Sequence, residues 1–215
     1  MLCYHISFKC KHPCTPDHII SARIAGNRNR PCPMPHSKLI LTPSPEAALP
    51  PTGQVVERLS AIGLTRETRA TDVAGQAAYL AGDRFLQLIT FLGCSPFVRL
   101  EPEHPDDSEF SHIRIRGPFA EPLFRSGPNT TPPRCPVCRH RYVHWRELAE
   151  QDSFNCEGCG ANLSMPTLNW RQSAGTGRLF IEIWGVFPGE AVPSAELISA
   201  LEALGCRWDY FYLQE

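Results

Sequence analysis

The chain has 215 residues, 42% hydrophobic and 20% charged, which are ordinary proportions for a soluble globular protein and enough for one substantial core or a core plus a small module. A formal net charge of -1 gives no global electrostatic case for nucleic acid, an anionic membrane or an acidic ligand. No apolar run approaches the roughly 20 residues of a membrane-spanning helix, so no membrane partner is expected.

The charge is unevenly spread. Residues 1–33 carry Lys9, Lys11, Arg23, Arg28 and Arg30 against Asp17 alone, leaving the remainder acidic. This opening stretch has no helical or strand period and reads as a poorly structured leader over residues 1–37. "MPHSKLILTP" begins at Met34, where strand-like pattern starts, which makes Met34 a candidate translation start. The stretch also lacks the unbroken apolar core of a secretory signal, since "IISARIA" is short and holds Arg23. The expected compartment is therefore the cytoplasm, where thiols stay reduced and paired Cys-x-x-Cys motifs favour metal over disulfides. Cys3, Cys10, Cys14 and Cys32, with His5, His12 and His18, lack the two-residue spacing of metal knuckles. Arginine outnumbers lysine throughout, a bias of genome composition that leans towards a bacterial source.

From Lys38 the pattern is legible. "KLILT" predicts a short strand. "TGQVVERLSAIG" predicts a helix capped by Thr52, with Val55, Val56, Leu59 and Ile62 on one face and Gly63 ending it. "TDVAGQAAYLAGDRFLQLITFLG" reads as one interrupted helix or two short ones, with Asp83 capping the second and Cys94 a small buried residue beyond it. "FVRLE" and "SHIRIRG" are strand candidates that the acidic loop between them could join as a hairpin. Ile113 and Ile115 alternate with Arg114 and Arg116, an arginine face that is either solvated or paired with acids across a sheet. "GRLFIEIWGVF" is the strongest strand signal. "SAELISALEALG" is an amphipathic helix capped by Ser194 and stopped by Gly205, and "CRWDYFYLQ" is a final strand. Together they fit a strand–helix–strand crossover. The expected fold class is α+β: a mixed sheet packed by several helices over residues 38–131 and 171–215, with a small β module inserted at 132–170.

The inserted segment carries the chemistry. "RCPVCRHRYVHWRELAEQDSFNCEGCG" holds two Cys-x-x-Cys pairs, Cys135 with Cys138 and Cys156 with Cys159, and 17 residues separate them. Each pair can turn two thiolates towards one ion, and two such turns complete the all-sulfur tetrahedron that zinc prefers. Pro136 stiffens the first turn, while Gly158 and Gly160 ease the second. The segment resembles the zinc ribbon, a small β module found in many unrelated proteins. That resemblance covers about residues 132–170 and implies one structural Zn2+ on Cys135, Cys138, Cys156 and Cys159, with iron as the alternative ion. It carries no single function.

No catalytic pattern accompanies it: there is no G-x-S-x-G elbow, P-loop, dinucleotide fingerprint or H-E-x-x-H motif. The expected protein is a small zinc-binding one that acts through noncovalent contacts, with a protein partner favoured. One alternative is nucleic-acid binding through Arg134, Arg139, Arg141, Tyr142, Trp145 and Arg146, which combine positive charge with stacking rings. Against it stand Glu147, Glu150, Asp152 and Glu157 in the same segment. An enzyme of unidentified class, with its site in the α+β body, is the second alternative.

Overall fold

The computed structural model describes residues 37–69, 77–92, 98–104, 107, 110–150 and 153–215. The expectations for residues 1–36, including Met34 and the early cysteines, and for Cys94 lie outside them. In chain order the elements are β1 (Ser37–Pro43), α1 (Thr52–Ala61), β2 (Thr65–Arg69), β3 (Ala78–Ala81), α2 (Phe85–Leu88), β4 (Ile89–Phe91), β5 (His112–Arg116), β6 (Leu123–Ser126), β7 (Phe154–Asn155), β8 (Asn162–Leu163), β9 (Ala174–Gly177), β10 (Phe180–Trp184), β11 (Ala191–Pro193), α3 (Ala195–Glu202) and β12 (Trp208–Gln214). Residues 35–215 cluster into one compact unit, the cysteine segment included. Among the described residues no helix is long and apolar enough to cross a membrane.

The α+β expectation, a mixed sheet packed by several helices, is overturned. Strand accounts for 33% of the described residues and helix for 19%, with three α-helices, one of them a single turn. The main sheet has six strands in the order β12-β1-β10-β5-β3-β2, antiparallel at every ladder. The largest misreading is "AAYLAGDRFLQLITFLG". Its apolar residues cover every side of a helix, but a short continuous apolar run serves a strand buried on both faces equally well. The chain makes β3 between β2 and β5, then the single turn α2, then β4 paired with β11. Asp83 caps nothing there, because Arg84 holds the cap position. "FVRLE" also fails as a strand partner. Both edges of β5 are taken by β10 and β3, and residue 99 meets this region through the Ser111 N–H donating to the Arg99 carbonyl at 2.7 Å.

Two elements behave as their patterns predict. α1 buries Val55 and Leu59, although Pro51 rather than Thr52 occupies its cap. α3 buries Leu197 and Leu201, and the Ser194 hydroxyl accepts from the Leu197 N–H at 3.2 Å. Ser194→Ala should therefore destabilise the protein by about 1 kcal/mol, read as a lower urea midpoint at unchanged slope. β10 and β12 both run antiparallel to β1, hence parallel to each other, and α3 lies on the connection between them.

The sheet is covered on both faces, and every residue of β1 is buried. Strand alternation sends Leu39, Leu41, Ile113, Ile181, Ile183, Trp208 and Tyr212 into the main core with α1 and α3. The opposite face carries Ile40, Phe180, Phe211 and Leu213. Over this second face lies the β6–β9 pair, whose register sets Ser126 against Ala174. The approach is close: a Cβ on Gly175 would meet the Phe211 ring at 2.5 Å, and one on Gly177 would meet Thr42 Oγ1 at 2.0 Å. The second face also carries charge. Lys38 and Glu182, 1% and 0% exposed, pair across β1 and β10 at 3.4 Å. Glu182 further accepts from Arg125 Nη1 at 3.1 Å and Trp184 Nε1 at 3.2 Å, and lies 3.7 Å from Arg116.

Candidate metal centre

The segment between β6 and β9 is built from two equivalent turns. In the first, the Cys135 carbonyl accepts from the Arg139 N–H at 3.0 Å and the Cys135 N–H donates to the His140 carbonyl at 2.8 Å. In the second, the Cys156 carbonyl accepts from the Gly160 N–H at 2.7 Å and the Cys156 N–H donates to the Ala161 carbonyl at 2.8 Å. The fourth position after each leading cysteine is left-handed, φ 65° at Arg139 and φ 72° at Gly160. Glycine adopts that conformation freely, whereas arginine is held there at a cost of roughly 1–2 kcal/mol. Gly158 serves another need. A Cβ there would meet Cys138 Sγ at 3.0 Å and His140 Cβ at 3.2 Å, so its missing side chain lets the two turns close on each other.

The turns bring the four sulfurs together. Cys135 Sγ lies 3.8 Å from Cys159 Sγ, Cys138 Sγ lies 3.6 Å from Cys156 Sγ, and all four fall within 4.8 Å of one another. A zinc–thiolate bond of about 2.3 Å implies a tetrahedron edge of about 3.8 Å, so the spacing and the donor set both suit one ion. Cys135 and Cys156 are buried, while Cys138 and Cys159 face outward. Backbone amides support the sulfurs, as where the Val137 N–H donates to Cys135 Sγ at 3.4 Å. The buried Tyr142 hydroxyl, which meets no nitrogen or oxygen partner, is the largest influence on Cys156. With the Gly158 and Cys159 amides it draws that thiol down to about 6 against the opposing effect of burial. At Cys138 the His140 amide favours the thiolate, but the local loss of water around its sulfur and the other three sulfurs outweigh it and push the thiol up to about 12. Four thiolates this close repel one another, and a cation is what allows all four to ionise together.

A core of its own backs the cysteines. Tyr142, Trp145, Leu163, Met165, Leu168 and Trp170 pack with Cys135 and Cys156, and Phe124 of β6 packs against both tryptophans. Ring centroids lie 4.8 Å apart for Phe124 and Trp170 and 5.1 Å for Trp145 and Trp170. The Trp170 indole N–H donates to the Met165 carbonyl at 2.9 Å. Tyr142 and Trp145, expected among the contacts for nucleic acid, are 7% and 4% exposed and cannot stack on a base. A module this small needs its aromatic residues inside. Arg134, Arg139, Arg141 and Arg146 stay exposed, with Arg146 lying over the Trp145 ring at 4.4 Å. His140 and His144 pair with Glu157 and Glu147 at 3.5 and 3.8 Å and stand outside the cysteine group. Among the described residues, that group is the one set of three or more Cys, His, Asp or Glu side chains placed to hold an ion.

The Lys38–Glu182 network escaped the sequence reading. The signal was present: "KLILT" and "FIEIW" each set one charge, of opposite sign, in an otherwise apolar strand, a pattern for charges that pair with each other on burial.

The fold and the cysteine geometry define a β-rich protein with a candidate four-cysteine metal centre. Comparison with protein-family models, curated proteins and solved structures returns no match, so its function has to be argued from its own residues.

Proposed function

We propose that Cys135, Cys138, Cys156 and Cys159 hold one structural Zn2+ in a module of the zinc-ribbon kind, and that this protein works without covalent chemistry. It presents a surface, held in shape by the ion, to a protein partner in the cytoplasm. The observation that carries this reading is the sulfur spacing, 3.6 and 3.8 Å in two cross-turn pairs, which supports an all-thiolate tetrahedron. Four protein ligands leave no open position for water or substrate, and the role that follows for the ion is structural. A protein partner is favoured over nucleic acid because Tyr142 and Trp145 are committed to the core, which leaves only arginines, interspersed with acids, for a nucleic-acid strand.

Elemental analysis of the purified chain tests the metal. The expected result is about one zinc per chain in a colourless protein, as a filled d shell requires. A coloured, iron-loaded protein would replace zinc by iron at the same thiolates. A chain that keeps its full stability with neither metal would overturn the structural role.

A further inference from the structure

β12 is an outer strand of the six-stranded sheet, bonded through β1 alone. The Ser44 N–H donation to the Arg207 carbonyl at 3.1 Å extends its inner ladder, so alternate residues of β12 face away from the sheet. That outward edge is closed at one end. The Tyr212 N–H donates to the Gln172 carbonyl at 2.8 Å, the Asn129 amide donates to the Tyr212 carbonyl at 2.9 Å, and the Gln214 N–H donates to Asn129 Oδ1 at 2.9 Å. Two residues earlier the closure stops. Tyr210 shares the outward register, and its backbone N–H and carbonyl on that edge have no partner among the described residues.

A cavity of about 440 Å3 runs along this open stretch, within the range of ligand-binding sites. Phe211 and Gly175 contribute to its lining, and the opposite wall is the Leu168–Gln172 return from the cysteine segment. In that wall Arg171 and Gln172 are consecutive left-handed residues, φ 50° and 60°, neither of them glycine. The cavity carries two exposed guanidinium groups against one carboxylate: Arg207 lies 3.4 Å from Asp209, both of them exposed, and Arg171 donates one N–H to the Pro132 carbonyl at 3.3 Å, which leaves further guanidinium donors on both arginines.

We propose that this cleft takes an extended peptide segment of a partner protein, which adds to β12 at Tyr210 and turns a carboxylate towards Arg171 and Arg207. This rests on the reading of the protein as a noncovalent binder and names its surface. A strand edge offers a donor and an acceptor side by side. A second peptide backbone answers both, while a phosphodiester chain offers acceptors to the N–H and nothing to the carbonyl. The two arginines supply the charge preference, since guanidinium pairs readily with carboxylate. The metal centre has an indirect part, because the wall carrying Arg171 follows directly from the core that packs on the cysteines.

A random octapeptide display library selected on the immobilised, zinc-loaded full chain tests this. The enriched peptides should carry Asp or Glu at a fixed position. Their affinity should fall at least roughly ten-fold on the double variant Arg171→Glu/Arg207→Glu, and as far when alternate peptide nitrogens are methylated. Zinc content and tryptophan emission report whether the double variant folds, and Arg207→Gln alone, expected to show a smaller loss in the same direction, provides a milder check. An empty selection would overturn the proposal. So would peptides indifferent to both arginine changes, or a single-stranded oligothymidylate perturbing the Tyr210 amide where no peptide does. Zinc measured on the same sample separates the two readings. Zinc-loaded protein without acidic peptides removes the cleft alone, and peptide binding by a chain that never holds metal removes the metal reading alone.

Discussion

Cys156→Ser is expected to unfold the cysteine segment while leaving the six-stranded sheet assembled. Cys156 is 3% exposed and sits in the segment's core beside Tyr142, so its loss removes a ligand and a packed side chain together. The small core around it has few other sources of stability, and structural zinc contributes about 10–16 kcal/mol in zinc-finger peptides, a large share of which needs all four ligands. The main sheet depends on a separate core. Tryptophan emission distinguishes the two regions, because Trp145 and Trp170 lie in the segment while Trp184 and Trp208 lie in the sheet. About half of the emission should shift to the red, with little loss of strand signal in the far ultraviolet. Chelation of the unaltered protein should reproduce the change. If the variant loses its metal and still keeps Trp145 and Trp170 in an apolar setting, the ion has no structural role.

The second large effect is expected at Glu182. Glu182→Leu leaves Lys38 buried beside Glu215 alone, at 2.8 Å, and takes the central acceptor from Arg125 and the Trp184 indole. Breaking a buried pair from one side costs about 3–5 kcal/mol, because the remaining charge keeps its desolvation cost; here the loss should fall towards the lower end, since Lys38 retains the half-exposed Glu215. Removing both sides at once recovers part of that loss: Lys38→Met/Glu182→Leu takes away the ammonium left behind, while Arg125 and the Trp184 indole still lack their acceptor, so it should be more stable than Glu182→Leu and less stable than the original protein. Guanidinium unfolding of Lys38→Met, Glu182→Leu and the double variant, set against the original protein, forms the cycle. Losses that simply add, with the double variant falling by the sum of the two single ones, would show that Lys38 and Glu182 do not act as a pair.

The sequence made some elements legible and hid others for physical reasons. Local signals survived. Ser194 caps α3, "KLILT" and "CRWDYFYLQ" form strands, and the two cysteine pairs meet, because each depends on residues close in sequence or on one metal-ligand spacing. Strand partners were not legible. β3 read as helix because Ala-Tyr-Leu-Ala has no period of its own, and only its place between β2 and β5 makes it a strand. β6 was hidden for a similar reason: its partner, β9, lies beyond the whole cysteine segment. At the metal centre the ligands were readable and the surroundings less so. Tyr142 and Trp145 admit both packing and stacking until the fold shows how little else could fill that core.

The pairing of β6 with β9 also bears on how quickly this chain finds its fold. Ser126 meets Ala174 across a loop made of residues 127–173. Closing so long a loop in a disordered chain carries an entropy cost that rises with the logarithm of its length, and such distant pairings slow the conformational search. An ion held early between Cys135 and Cys159 would fold most of that loop back on itself, and the Arg134–Asn169 bridge would bring its two arms side by side. β6 and β9 would then meet almost as the arms of a hairpin. The ion would in this way act as a timing device, making a distant contact local before the sheet has to form it.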